Sequence, residues 1–241
     1  KLREFGIQLR EKSQAGADEK ELQAMKVEQL KTVYRLLVLA YGEPPKKFTW
    51  APMKNGKTIG EPKTYTPQEF YREVCAEGED LNADFVMLMN DPTREYHKVY
   101  EIEYDRHVYD GENWVYLNLP IEKVKELAIA SIKDNTAMYF SCDVGKFSDR
   151  KKGTLDIKNM DYESLFRTKF PMDKKQRIQT FSSGSSHAMT LIAVDLDEAG
   201  QPKKWMVENS WGAASGYQGN LIMTDEWFDN YMFRVVVEKK Y

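Results

Sequence analysis

Only two of the 241 residues are cysteines, Cys75 and Cys142. Two thiols in a chain of this length define no disulfide framework, which excludes a small cross-linked secreted scaffold. They read instead as reduced thiols of a cytosolic protein. Long apolar runs are also missing, so no stretch is suited to span a bilayer. The first residues, Lys1-Leu2-Arg3-Glu4-Phe5, carry neither an initiator methionine nor the apolar core of a signal peptide. They read as a segment that begins inside a longer protein. Nor is one charge in excess: 35 lysines and arginines stand against 38 aspartates and glutamates, a net charge of −3. A nucleic-acid binder usually shows a basic excess or a basic face, whereas the lysine pairs here are scattered and offset by acids.

What is present belongs to a globular protein, with 41% hydrophobic and 30% charged residues. The length suits one sizeable domain or two small ones. Leu22, Met25, Leu30, Val33, Tyr34, Leu37, Val38 and Tyr41 recur at helical spacing and form one apolar stripe, which Gly42 and Pro44-Pro45 stop. Leu2, Phe5 and Leu9 predict an earlier amphipathic helix, broken near Gly16 and Asp18. Such a hairpin either covers a core or contacts another protomer, and the sequence leaves both open. Phe48-Thr49-Trp50 alternates like a short strand, and Lys54-Asn55-Gly56-Lys57 supplies a turn. Thr66-Pro67-Gln68-Glu69 is a capping box, launching a helix through Phe70, Tyr71 and Val74 that should end near Gly78.

Strands follow. Phe85 to Met89 reads as buried and is stopped by Asn90-Asp91-Pro92, while Tyr100, Ile102 and Tyr104 alternate with acids on a half-exposed strand. Residues 114–119 repeat that pattern, and Pro120 starts a helix carrying Val124, Leu127, Ala128 and Ile132. From Ala137 onward the pattern is mostly β, with strands at 137–144, 187–196, 204–208, 220–223 and 233–237. Thr224 caps a short helix through Trp227, Phe228 and Tyr231. The expected class is α+β: a mainly helical segment over 1–80, then an antiparallel β-barrel lobe over 81–241.

Chemistry concentrates near the end of the chain. His187 is one of three histidines and stands in Ser186-His187-Ala188-Met189-Thr190. A hairpin from Ala188 to Glu208 brings it toward Glu208-Asn209-Ser210-Trp211-Gly212. A general base needs rigid support and a polar partner on its far nitrogen. Asn209 is placed to accept from the ring N–H, and Trp211 to shield that bond from water. The trio matches the general-base half of a papain-type cysteine protease, in which the imidazole takes the proton of a thiol.

Taken together, these motifs resemble the bleomycin hydrolase family, a branch of the papain-like cysteine peptidases that includes bacterial aminopeptidase C enzymes. Residues 186–240 are similar to the end of that family. Further segments match in order: Lys1-Leu2-Arg3-Glu4-Phe5, Gly42-Glu43-Pro44-Pro45, Thr66 to Glu73, Asn90-Asp91-Pro92, Ala130 to Asp134, Cys142 to Lys146 and Met223 to Phe228. The resemblance implies a papain-like fold and a cysteine-type aminopeptidase that cleaves peptides from the N-terminus with no metal or organic cofactor. It also implies a cytoplasmic homohexamer, with the first helices contributing contacts. By the same resemblance Ser141 and Ala188 border the substrate pocket, although plain barrel packing serves both residues equally.

The family also shows what is missing here. Its members carry the nucleophile on an N-terminal helix, in a cysteine–tryptophan pair preceded by an oxyanion-hole glutamine. No cysteine–tryptophan pair occurs in this chain. Cys142 lies among apolar neighbours on a predicted strand and reads as an inert small hydrophobe, and Cys75 lies inside a predicted helix. The expected partner of His187 is therefore a cysteine-bearing N-terminal segment of the same protein. The competing expectation is a non-catalytic papain-like scaffold or interaction module.

Overall fold

Asp18 accepts a hydrogen bond from the Glu21 backbone N–H at 2.8 Å, satisfying a donor that a helix start leaves free. The structure, a computed structural model, describes residues 1–76, 80 and 83–241. Helix α1 (Leu2–Gln14) precedes that cap and α2 (Glu19–Tyr41) follows it. Gly42, at φ +85°, ends α2 with its N–H on the Val38 carbonyl. Strands β1 (Phe48–Trp50) and β4 (Lys63–Tyr65) pair antiparallel, and β2 (Met53–Lys54) and β3 (Lys57–Thr58) form a hairpin. Its turn, Asn55-Gly56, takes the two left-handed conformations that a two-residue hairpin needs. The Thr66–Glu69 capping box starts α3 (Pro67–Phe70), which continues as one π-helical turn over Tyr71–Cys75. The expected stop near Gly78 lies outside the described residues. Phe48, Trp50 and Tyr65 pack around Phe70, with ring centroids 5.1–5.5 Å from it.

Those elements form the first of two compact units, Lys1–Glu79; the second is Asp80–Tyr241. In the second unit the elements run β5 (Phe85–Met89), β6 (Lys98–Ile102), β7 (Trp114–Asn118), α4 (Ile121–Lys133) and β8 (Met138–Cys142). Short strands β9 (Ser148–Asp149) and β10 (Thr154–Leu155) follow, then α5 (Tyr162–Phe166) and α6 (Lys174–Gln179). The chain closes with β11 (His187–Leu196), β12 (Pro202–Glu208), β13 (Asn220–Thr224), α7 (Asp225–Tyr231) and β14 (Met232–Glu238). Ten strands make one sheet in the order β6-β7-β5-β14-β8-β11-β12-β13-β10-β9. Its pairs are antiparallel except β5–β7 and β10–β13. The fold is α+β.

Alternation along the strands sends one face of this sheet into the core. Phe140, Leu191, Val207, Leu221 and Val235 are almost wholly buried there, beneath α4 and α7. Each contributes about 1.5–3 kcal/mol by leaving water. The indoles of Trp205 and Trp227 are buried too, and each keeps a partner for its N–H: the Asp225 carboxylate at 2.9 Å and the Lys146 carbonyl at 2.8 Å.

Two expectations change. The half-exposed strand ends at Ile102, because Tyr104 turns to φ +64° and donates its backbone N–H to the Asn113 side chain. The mostly β reading after Ala137 misses α5 and α6. Both are too short for hydrophobic periodicity to show, and both start at an aspartate, Asp161 or Asp173, whose side chain caps the helix.

Candidate active site

His187 is the first residue of β11 and stands opposite Cys142 in the ladder with β8. Asn209 follows the last residue of β12, whose Glu208 stands opposite Thr190 of β11. Antiparallel pairing therefore returns the chain to the start of β11, and the Asn209 backbone N–H is fixed by the Gly219 carbonyl at 3.0 Å. The result is a contact of 2.9 Å between His187 Nε2 and Asn209 Oδ1.

That contact assigns the tautomer. Oδ1 also accepts the Ser210 backbone N–H at 2.8 Å, so this atom is the amide oxygen and the imidazole proton sits on Nε2. Nδ1 is left with its lone pair free to take a proton. The Trp211 indole stacks on the imidazole with centroids 5.2 Å apart and planes 26° from parallel. Its apolar face keeps water from competing for the Nε2 bond. Asn209 Nδ2 is buried and meets no acceptor among the described residues.

The loop entering β11 is held by a buried carboxylate. Asp143 accepts the Ser183 hydroxyl at 2.8 Å, the Ser186 hydroxyl at 3.3 Å and, at 3.4 Å, the Gly184 N–H. The Cys142 carbonyl takes the Ser186 N–H at 3.0 Å. These bonds fix the residue just before His187, and the sequence reading missed them. The available signal was an acid placed between an apolar strand and a turn. Arg150, whose guanidinium lies 4.8 Å from the Trp211 ring, was missed as well.

The remaining sequence-predicted residues separate. Ser141 and Ala188 stand opposite each other across β8 and β11, so their side chains share one face. Ala188 is exposed, whereas Ser141 is 1% exposed. Cys142 is wholly buried; burial first, and then the neighbouring Asp143 charge, push its thiol far above the ordinary range. A thiol so placed is not a thiolate at neutral pH. Cys75 is exposed and belongs to the first unit. Elsewhere, burial brings the Lys174 ammonium down to about 7; it donates to Asn90 Oδ1 at 2.6 Å and to the Asp229 carbonyl at 3.1 Å. Among the described residues no three His, Cys, Asp or Glu side chains converge as a metal site.

Known proteins share this sequence and fold. Bleomycin hydrolase of Homo sapiens is 38% identical over 246 residues, covering all of this chain and 54% of the relative. Aminopeptidase C of Lactobacillus delbrueckii subsp. lactis is 36% identical over 242 residues, covering all of this chain and 53% of the relative. The crystal structure of PepW from Lactobacillus rhamnosis HN001 superposes with a TM-score of 0.88 at 35% identity, across the whole chain and 53% of PepW. The chain thus spans about half the length of the curated relatives it matches. Residues 1–241 all match the Peptidase C1-like family. On that full-length match, the chain belongs to the Peptidase C1-like family.

Proposed function

We propose that this chain is the general-base half of a cysteine-type aminopeptidase, whose thiol comes from a segment of the same protein outside these 241 residues. One observation carries the reading: Asn209 Oδ1 holds the proton on His187 Nε2 and leaves Nδ1 as the base. Nδ1 takes the thiol proton, and the thiolate attacks the peptide carbonyl. Imidazolium then gives that proton to the departing amine, while Nε2–H stays on Asn209 and Trp211 screens the pair. In the second half His187 takes a proton from water, which hydrolyses the thioester and frees the acid and the thiol. No step calls on a metal or organic cofactor.

The names of the relatives support peptides, cleaved from the N-terminus, as substrates. Ala188, on the exposed face beside His187, is proposed to contact them, and buried Ser141 to back that contact. A homohexamer in the cytoplasm, with α1 and α2 in the protomer contacts, completes the proposal. The alternative, a non-catalytic scaffold, draws on the burial of Cys142 and the lack of a cysteine–tryptophan pair in this chain. A binding module has no need of the His187–Asn209–Trp211 geometry, which favours the enzyme.

The test compares an aminoacyl reporter with a free α-amino group against the same reporter acetylated, using the complete protein. Turnover of the free form alone, abolished by His187→Ala, is expected. No turnover of either form, or turnover indifferent to His187→Ala, supports the scaffold.

A further inference from the structure

We propose that Arg150, carried on the Trp211 indole, selects peptides whose leaving fragment bears a carboxylate. The inference deepens the peptidase reading and rests on it. When the peptide bond breaks, His187 must protonate the departing amine, so the leaving fragment lies beside the imidazole. What borders the imidazole is therefore what that fragment meets. Trp211 stacks on His187, and the Arg150 guanidinium packs on the same indole at 4.8 Å, within about 10 Å of the imidazole. The imidazole–amine and carboxylate–guanidinium contacts take up about 3 Å each, and the roughly 4 Å that remains is the reach from the amine to a carboxylate on the first leaving residue, since an extended chain advances about 3.3 Å per residue.

Two features make this arginine available and well placed. It is exposed, and no carboxylate pairs with it among the described residues. The nearest acid in sequence, Asp149, is engaged elsewhere: it accepts the Lys151 and Lys152 backbone N–H groups and pairs with the Lys152 ammonium at 3.2 Å. Secondly, the turn carrying Arg150 is locked to the loop carrying Trp211. Gly153 and Gly216 pack so closely that a Cβ on Gly153 would lie 2.5 Å from the Gly216 Cα, and the Gly153 carbonyl takes the Ile222 N–H at 2.9 Å. Both glycines are at positive φ, so the contact excludes side chains twice over. The indole–guanidinium shelf is thereby fixed against the sheet that holds His187. A guanidinium presents paired donors suited to a carboxylate.

The experiment measures kcat/KM of the complete protein for Ala-Ala against Ala-Ala-amide, and for Ala-Asp-amide against Ala-Asn-amide. The first pair reads a terminal carboxylate and the second a side-chain carboxylate. Equilibrium binding of the same dipeptides is read alongside. Wild type is expected to favour the acid of at least one pair by about three- to tenfold, less at high salt. Arg150→Gln brings that ratio near one, Arg150→Glu reverses it and Arg150→Lys keeps part of it. Turnover with equal ratios in wild type and Arg150→Gln overturns the inference and leaves the peptidase reading standing. Acid-selective binding that depends on Arg150, without turnover of any peptide, supports the carboxylate site while the peptidase reading fails. Neither turnover nor acid-selective binding overturns both.

Discussion

The two units bury their apolar residues in different ways. In Asp80–Tyr241, strands such as β14 send alternate residues into one core, and Phe140, Trp205, Trp227 and Val235 are 0–1% exposed. In Lys1–Glu79, α2 is 23 residues long and carries an apolar stripe, yet none of its residues is buried; Leu30, Tyr34 and Leu37 are 51–52% exposed. The second unit therefore draws its stability from its own interior and can hold an imidazole and an amide at fixed positions. The helices of the first depend on capping and helix propensity, with their stripe left to meet another surface. The proposed chemistry falls in the second unit, and the proposed association in the helices of the first.

Substitutions probe that contrast, the largest effect being in the core of the second unit. Phe140→Ala should cost about 3–5 kcal/mol, read as a fall in the urea midpoint. Asn209→Ala should lower kcat by roughly 10²-fold in the complete protein, because the imidazole loses its tautomer and aim, while the urea midpoint moves little. A charge buried in the second unit should make its stability depend on pH. The Lys174 pKa falls from 10.5 to about 7 on folding, so between those values the unfolded state binds more protons and stability rises with pH. Urea midpoints taken from pH 7 to 10.5 should climb for wild type and flatten in Lys174→Met. Thr66→Ala, which removes the α3 cap in the first unit, should cost about 1 kcal/mol. Leu37→Ala should change folding by less than about 0.5 kcal/mol, since the side chain is half exposed already. If α2 meets other protomers, that variant loosens the assembly in sedimentation without changing the midpoint.

Much of this was legible in the sequence because the signals are local. The Thr66 capping box, the Gly42 stop and the Thr224 cap are written in adjacent residues, and each stands where it was expected. His187 and Asn209 were legible for a related reason: a hairpin returns the chain to its start, so strand periodicity and one turn predict that its ends meet. The parallel pairing of β5 with β7 was not legible, because it joins strands with another element between them. Nor was the Asp143 clamp, which spans 40 residues to Ser183. Arg150 reaches Trp211 through a contact between two glycines that no motif announces. The sequence supplied His187, Asn209 and Trp211; the three-dimensional arrangement added the Asp143 clamp and Arg150.

The most direct test of the account exposes the complete protein to a thiol-reactive peptidyl epoxide and locates the adduct by denaturing mass spectrometry and peptide mapping. The account predicts one adduct, on a cysteine outside residues 1–241, that slows or vanishes in His187→Ala. A stoichiometric adduct on Cys142, or labelling indifferent to His187, would contradict it.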